Sequence, residues 1–194
     1  MTSGSDITGG APPRRRTDAG THSLAAFILI GCAVSLSLGV YVKVHTPTGR
    51  TLTTLGFPDL IYMKAWLATA ALALAVVQVL TALRMYGRLG RGPNPRLVNL
   101  THRASGVTAV VLTLPVAFHC AWSLGFATYS PRVLAHSLLG CLFYGVFVTK
   151  MLTLRSRHVP ARALPWLGGT LATILLALWL TSSLWFFTHT TTGY

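Results

Sequence analysis

Two histidines stand closest to chemistry in this chain. His119 and His136 lie in the stretch from Thr101 to Arg155, which reads as two apolar helices joined by a short loop at Tyr129-Ser130-Pro131-Arg132. An antiparallel hairpin of that kind places His119 near the end of one helix and His136 near the start of the next. At 1.5 Å rise per residue their depths agree to within ~5 Å. Two imidazoles at one depth on neighbouring helices can ligate a haem iron from both sides. The expected cofactor is therefore haem b, with His119 and His136 as axial ligands. Its propionates need cations, and Arg132 and Lys64 lie nearest, with Lys43 and Arg50 further off. Pro115 precedes His119 by four residues and can kink the helix, re-aiming the imidazole. Gly140, one turn beyond His136, leaves room for a flat macrocycle.

Two other histidines are alternative ligands. His189 sits at the same end of the bundle as the pair. His102 is 17 residues from His119, or ~25 Å along a helix, so those two cannot serve one haem. The plain reading of all four is structural. An imidazole near a helix end can sit at the headgroup level or hydrogen-bond a neighbouring helix.

The elements that must position these residues are membrane spans. The 194 residues are 52% hydrophobic and only 10% charged, where a soluble domain carries about 25% charged residues. Mean hydropathy is +0.58. Five apolar stretches, about 23–43, 60–83, 104–126, 133–154 and 164–187, are each long enough to cross hydrocarbon. The fold class is all-α: an integral membrane bundle of five transmembrane helices. Residues 1–21 read as a disordered tail, 22–190 as the helical domain and 191–194 as a second, short tail. The run Leu29-Ile30-Gly31-Cys32 looks like a lipoprotein cleavage box. The apolar stretch continues past it, however, which favours an uncleaved first helix.

The net charge of +13 comes from 16 Lys and Arg against three acids, Asp6, Asp18 and Asp59. Those basic residues fall between apolar spans, which argues for membrane topology and against nucleic acid. Twelve belong to the N-terminal tail, the second loop and the fourth loop with its flanks. Lys43, Arg50, Lys64 and Arg132 belong to the other side. The asymmetry places the N-terminus inside and the C-terminus outside, in a bacterial plasma membrane. Gln78, a lone polar group within span two, is expected to make an interhelical hydrogen bond. Cys32, Cys120 and Cys141 lie in apolar segments without a C-x-x-C and default to small buried hydrophobes. With three acids, each in a tail or loop, no Ser-His-Asp arrangement can be drawn, so a hydrolase is disfavoured.

At HRASG-x12-HCAW, followed by AHSLLGCLFYGVFVTKM, LPWLGG and LWLTSSLWFF, the chain resembles an uncharacterised actinobacterial multi-pass membrane family. The likeness covers roughly residues 60–188. More loosely, the hairpin resembles cytochrome b561-like and ferric-reductase-like modules. That resemblance implies b-type haem and transmembrane electron transfer, with His119 and His136 as the ligands. The expected function is a b-type cytochrome subunit passing electrons between quinol and an outer-face partner. The alternative is a non-catalytic subunit or assembly factor of a respiratory complex. The expected partners are the lipid bilayer, quinone and respiratory-chain proteins.

Overall fold

A computed structural model of the chain describes residues 15–90, 92, 95–160 and 162–190. Among these there is no strand. The helices are α1 (Arg15–Val44), α2 (Leu60–Met85), α3 (Arg96–His119), α4 (Pro131–Arg155), α5 (Ala163–Trp179) and the short α6 (Trp185–Thr190). A π-helical turn, Cys120–Leu124, extends α3, and a second, Leu180–Leu184, joins α5 to α6. Five of these rods are long and apolar enough to cross a membrane. Exposed large apolar side chains such as Leu29, Leu36, Leu97 and Trp166 cover their outward faces.

Two boundaries differ from the sequence reading. Helix α1 begins at Arg15, so residues 15–21 are helical rather than part of a tail; residues 1–14 and 191–194 lie outside the described residues. Helix α3 begins at Arg96, about eight residues earlier than its apolar stretch. The sequence ahead of it, Gly92-Pro93-Asn94-Pro95, is rich in helix breakers, and Pro95 occupies the N-cap position with extended dihedrals. Helix resumes at once behind it, because arginine and leucine are good helix formers whatever their hydropathy. Elsewhere the caps follow the sequence. Asp59 accepts from the N–H groups of Ile61 and Tyr62 at 2.7 and 2.9 Å. Ser130 caps α4 with Pro131 at its first turn.

The lateral order of the helices is α1, α4, α5, α2, α3. Ala71, Phe143, Leu171, Ile174 and Leu175 form the core where α2, α4 and α5 meet. Trp179 ties α5 to α2 by donating Nε1–H to Thr69 Oγ1 at 2.8 Å. Gln78 makes the expected interhelical bonds, donating to Ser105 Oγ at 2.9 Å and to the His102 carbonyl. Gly106 leaves room for that amide, since a Cβ there would stand 3.0 Å from Gln78 Nε2.

Helix α1 docks on α4 through small residues. A Cβ on Gly31 would meet Gly145 O at 2.5 Å and would collide with Thr149 Oγ1. A Cβ on Gly145 would collide with Ser35 Oγ and the Gly31 carbonyl. Thr149 Oγ1 donates across the seam to Phe27 O at 3.2 Å. Backbones this close are the small-xxx-small mode of membrane helix packing.

The consecutive helices α3 and α4 do not form the packed hairpin expected from the sequence. Each is held elsewhere, α3 by Gln78 on α2 and α4 by the glycine seam with α1. A long side chain reaches across the space between them: Tyr144 donates to Thr113 Oγ1 at 3.0 Å.

The seam makes a prediction. Gly145→Ala should destabilise the folded protein by about 1–3 kcal/mol through overpacking. Gly140→Ala, five residues earlier with nothing within 4 Å of its would-be Cβ, should not destabilise and should gain up to about 1 kcal/mol as a helix-interior glycine is removed. Thermal melts of both variants in detergent read the difference, and equal melting temperatures would show that the seam is not tight.

Candidate functional site

The space between α3 and α4 is a cavity of about 450 Å³ at the end of the bundle opposite the arginine-rich loops. Its walls are mainly apolar. Polar side chains interrupt them, among them Lys64 from α2, Cys120 from the first π-turn, Arg132, His136 and Tyr144 from α4, and Thr181 and Ser183 from the second π-turn. Both π-turns therefore border the same cavity. Such turns are rare and concentrate at functional sites.

The second π-turn releases a carbonyl. The Trp185 N–H bonds Ser182 O rather than Thr181 O. Arg132 donates to the freed Thr181 carbonyl and lies 4.2 Å over the Trp185 ring. The Thr181 hydroxyl gives its proton to Ala177 O at 2.8 Å. Its lone pair is then free to accept from His136 Nδ1, 3.0 Å away. That contact puts a proton on Nδ1 of His136. His136, Lys64 and Cys120 all line this cavity. Ser183, 1% exposed and also on the wall, has a hydroxyl without a hydrogen-bond partner among the described residues.

The first π-turn closes the end of the cavity. Trp122 O accepts from Thr48 N and Thr48 Oγ1, both at 3.2 Å, and from His45 Nε2 at 3.3 Å. Gly49 N donates to Ser123 O at 3.0 Å, and Ser123 Oγ donates to Arg50 O at 2.7 Å. Phe126 N reaches Val42 O at 3.2 Å, joining this end of α3 to α1. Gly125 turns the chain with φ +72°, and a Cβ there would press on Pro47 Cγ at 2.5 Å. A roof of loop 45–50 thus rests on the last carbonyls of α3.

The expected histidine pair is not assembled on this wall. His136, Lys64 and Arg132 line the cavity, and His119 does not. His119 follows the helix roughly 100° around from Cys120 and is 1% exposed. Its Nδ1 donates to Pro115 O at 2.8 Å, and its Nε2 is buried without a hydrogen-bond partner. Of the alternative ligands, His102 lies within α3 toward the arginine-rich end, bonded to Thr81 Oγ1 at 2.8 Å. His189 stacks on Trp185 and donates to its carbonyl at 2.8 Å, on the exposed surface. Among the described residues no group of three or more His, Cys, Asp or Glu could hold a metal ion. The polar residues that sequence reasoning passes over are Cys120, Thr181 and Ser183. The signal for the last two is present in the chain: a Thr-Ser-Ser run inside an apolar span.

A family model described as a family of unknown function (DUF6529) matches residues 24–193. No curated protein and no solved structure matches the chain.

The roof supplies a test. Ser123→Ala removes the hydroxyl bond to Arg50 O and should cost about 1 kcal/mol. In lipid nanodiscs it should speed tryptic cleavage after Arg50. A cleavage rate equal to wild type would show that loop 45–50 is held by other contacts.

Proposed function

The chain belongs to the family of unknown function DUF6529, and from its cavity we propose that it binds an anionic amphiphile taken from the bilayer. One observation carries this reading. The cavity wall holds the cations Lys64 and Arg132 and no aspartate or glutamate. Asp59, the acid nearest in sequence, is engaged at the N-terminus of α2. Cations in an apolar enclosure are costly unless an anion joins them. A molecule with an acidic head and an apolar body meets both demands. The volume of about 450 Å³ falls within the ~300–1,000 Å³ of small-molecule sites.

The setting follows from charge. Arg84, Arg88, Arg103, Arg155 and Arg157 gather at one end of the bundle, which we assign to the cytoplasm of a bacterial cell. The cavity then opens in the outer half of the plasma membrane. An electron carrier built on a bis-histidine haem needs two imidazoles on one wall, and this wall has one.

The test starts from the full chain purified in mild detergent. Mass spectrometry of the extract should find near one fatty acid or anionic lipid per chain. Lys64→Gln and Arg132→Gln should each weaken retention several-fold, given about 1 kcal/mol per cation. A reduced-minus-oxidised spectrum with sharp b-type bands near one haem per chain would overturn the reading in favour of haem. Stoichiometric quinone in the extract would overturn it in favour of a quinone site.

A further inference from the structure

The run Thr181-Ser182-Ser183 puts three hydroxyls on one π-turn. In an apolar helix a hydroxyl can give its proton to the carbonyl one turn back. Thr181 and Ser182 do so, donating to Ala177 O and Leu178 O, each at 2.8 Å. Ser183 does not. It is 1% exposed and lines the cavity, and its Oγ has no hydrogen-bond partner among the described residues. A buried donor left unbonded is costly, and a ligand that brings a strong acceptor removes the cost. The same wall carries Lys64 and Arg132 without an acid, so the acceptor that suits Ser183 is also an anion. Arg132 commits one N–H to Thr181 O, and a guanidinium has five.

We propose that the amphiphile is a single-chain lipid phosphate, the phosphate monoester of a long-chain alcohol, and that Ser183 helps select its head. This deepens the anionic-amphiphile reading and rests on it. Charge and donor count separate the candidate heads. A carboxylate brings one negative charge and two oxygens. A phosphate monoester brings about −1.5 to −2 and three strong acceptor oxygens. Two cations and one free hydroxyl answer the phosphate on both counts, and arginine suits it further through charge-assisted bonds. The rest of the wall takes the chain: Leu38 and Val42 from α1, Val116 from α3 and Leu178 from α5. The volume of about 450 Å³ lies in the lower half of the ~300–1,000 Å³ range of small-molecule sites, which suits one chain rather than two. Helices α3 and α4 do not pack along their length, so the far end of a long chain can continue between them into the bilayer.

The experiment uses the full chain in nanodiscs of zwitterionic phosphatidylcholine, titrated with dodecyl phosphate or with dodecanoate. Affinity is read from the rise in melting temperature with ligand concentration. Dodecyl phosphate should bind about tenfold more tightly than dodecanoate, the scale of one added charge-assisted hydrogen bond. Ser183→Ala should weaken dodecyl phosphate about tenfold, the scale of a lost hydrogen bond to a charged group. The same variant without ligand should melt no lower than wild type, because the hydroxyl has no bond to lose. Equal affinity of wild type for the two probes, or undiminished dodecyl phosphate affinity in Ser183→Ala, would overturn the proposal. Diacyl phosphatidate binding as tightly as dodecyl phosphate would overturn the single chain. If Ser183→Ala misfolds, the preference of wild type between the two probes decides alone. Dodecanoate bound as tightly as the phosphate defeats only the choice of head, whereas binding of neither probe defeats the cavity reading itself.

Discussion

A backbone carbonyl that leaves its helix inside an apolar bundle must find a donor elsewhere, because no water is at hand to replace the lost bond. This constraint shapes the whole cavity end of the molecule. Thr181 O is freed by a π-turn and recruits Arg132. Trp122 O and Ser123 O end α3 and recruit loop 45–50. The two requirements are met from different directions, and together they hold polar side chains around a space that the apolar faces leave empty.

That space exists because chain order and packing order disagree. Helices α3 and α4 follow one another, yet α4 is drawn toward α1 and α5, and α3 toward α2. The glycine seam gives α4 a closer neighbour than α3 could offer, and Tyr144 bridges what remains. A tighter hairpin would have filled the cavity with leucine and valine. Binding capacity here comes from competition between neighbours rather than from a dedicated pocket-forming loop.

Much of this is legible in the residues. Five apolar stretches become five long helices, and Gln78 makes its interhelical bonds. Hydropathy and rise per residue report position along a helix, and His136 shares the cavity end with Lys64 and Arg132. Azimuth and neighbourhood escape them. His119 has a depth close to that of Cys120 and a different direction, and it is the cysteine that meets the cavity. A default that treats every intramembrane cysteine as a small hydrophobe hides such a case. The π-turns add to the difficulty, since each shifts the helical phase of the downstream residues by one position, and no single residue type announces them.

The seam between α1 and α4 also has a history in time. Phe27 waits for Thr149, 122 residues later in the chain, which at ~5–20 residues per second of synthesis is roughly 6–25 seconds. The hairpin of α2 and α3 can close long before that. Through the interval α1 stands as a solitary helix with a bare glycine groove, and it can dock only once α4 has emerged. The seam relies on shape and one threonine bond, so nothing in α1 hurries the search. The docking of the first helix is therefore timed by the emergence of α4 and not by its own synthesis.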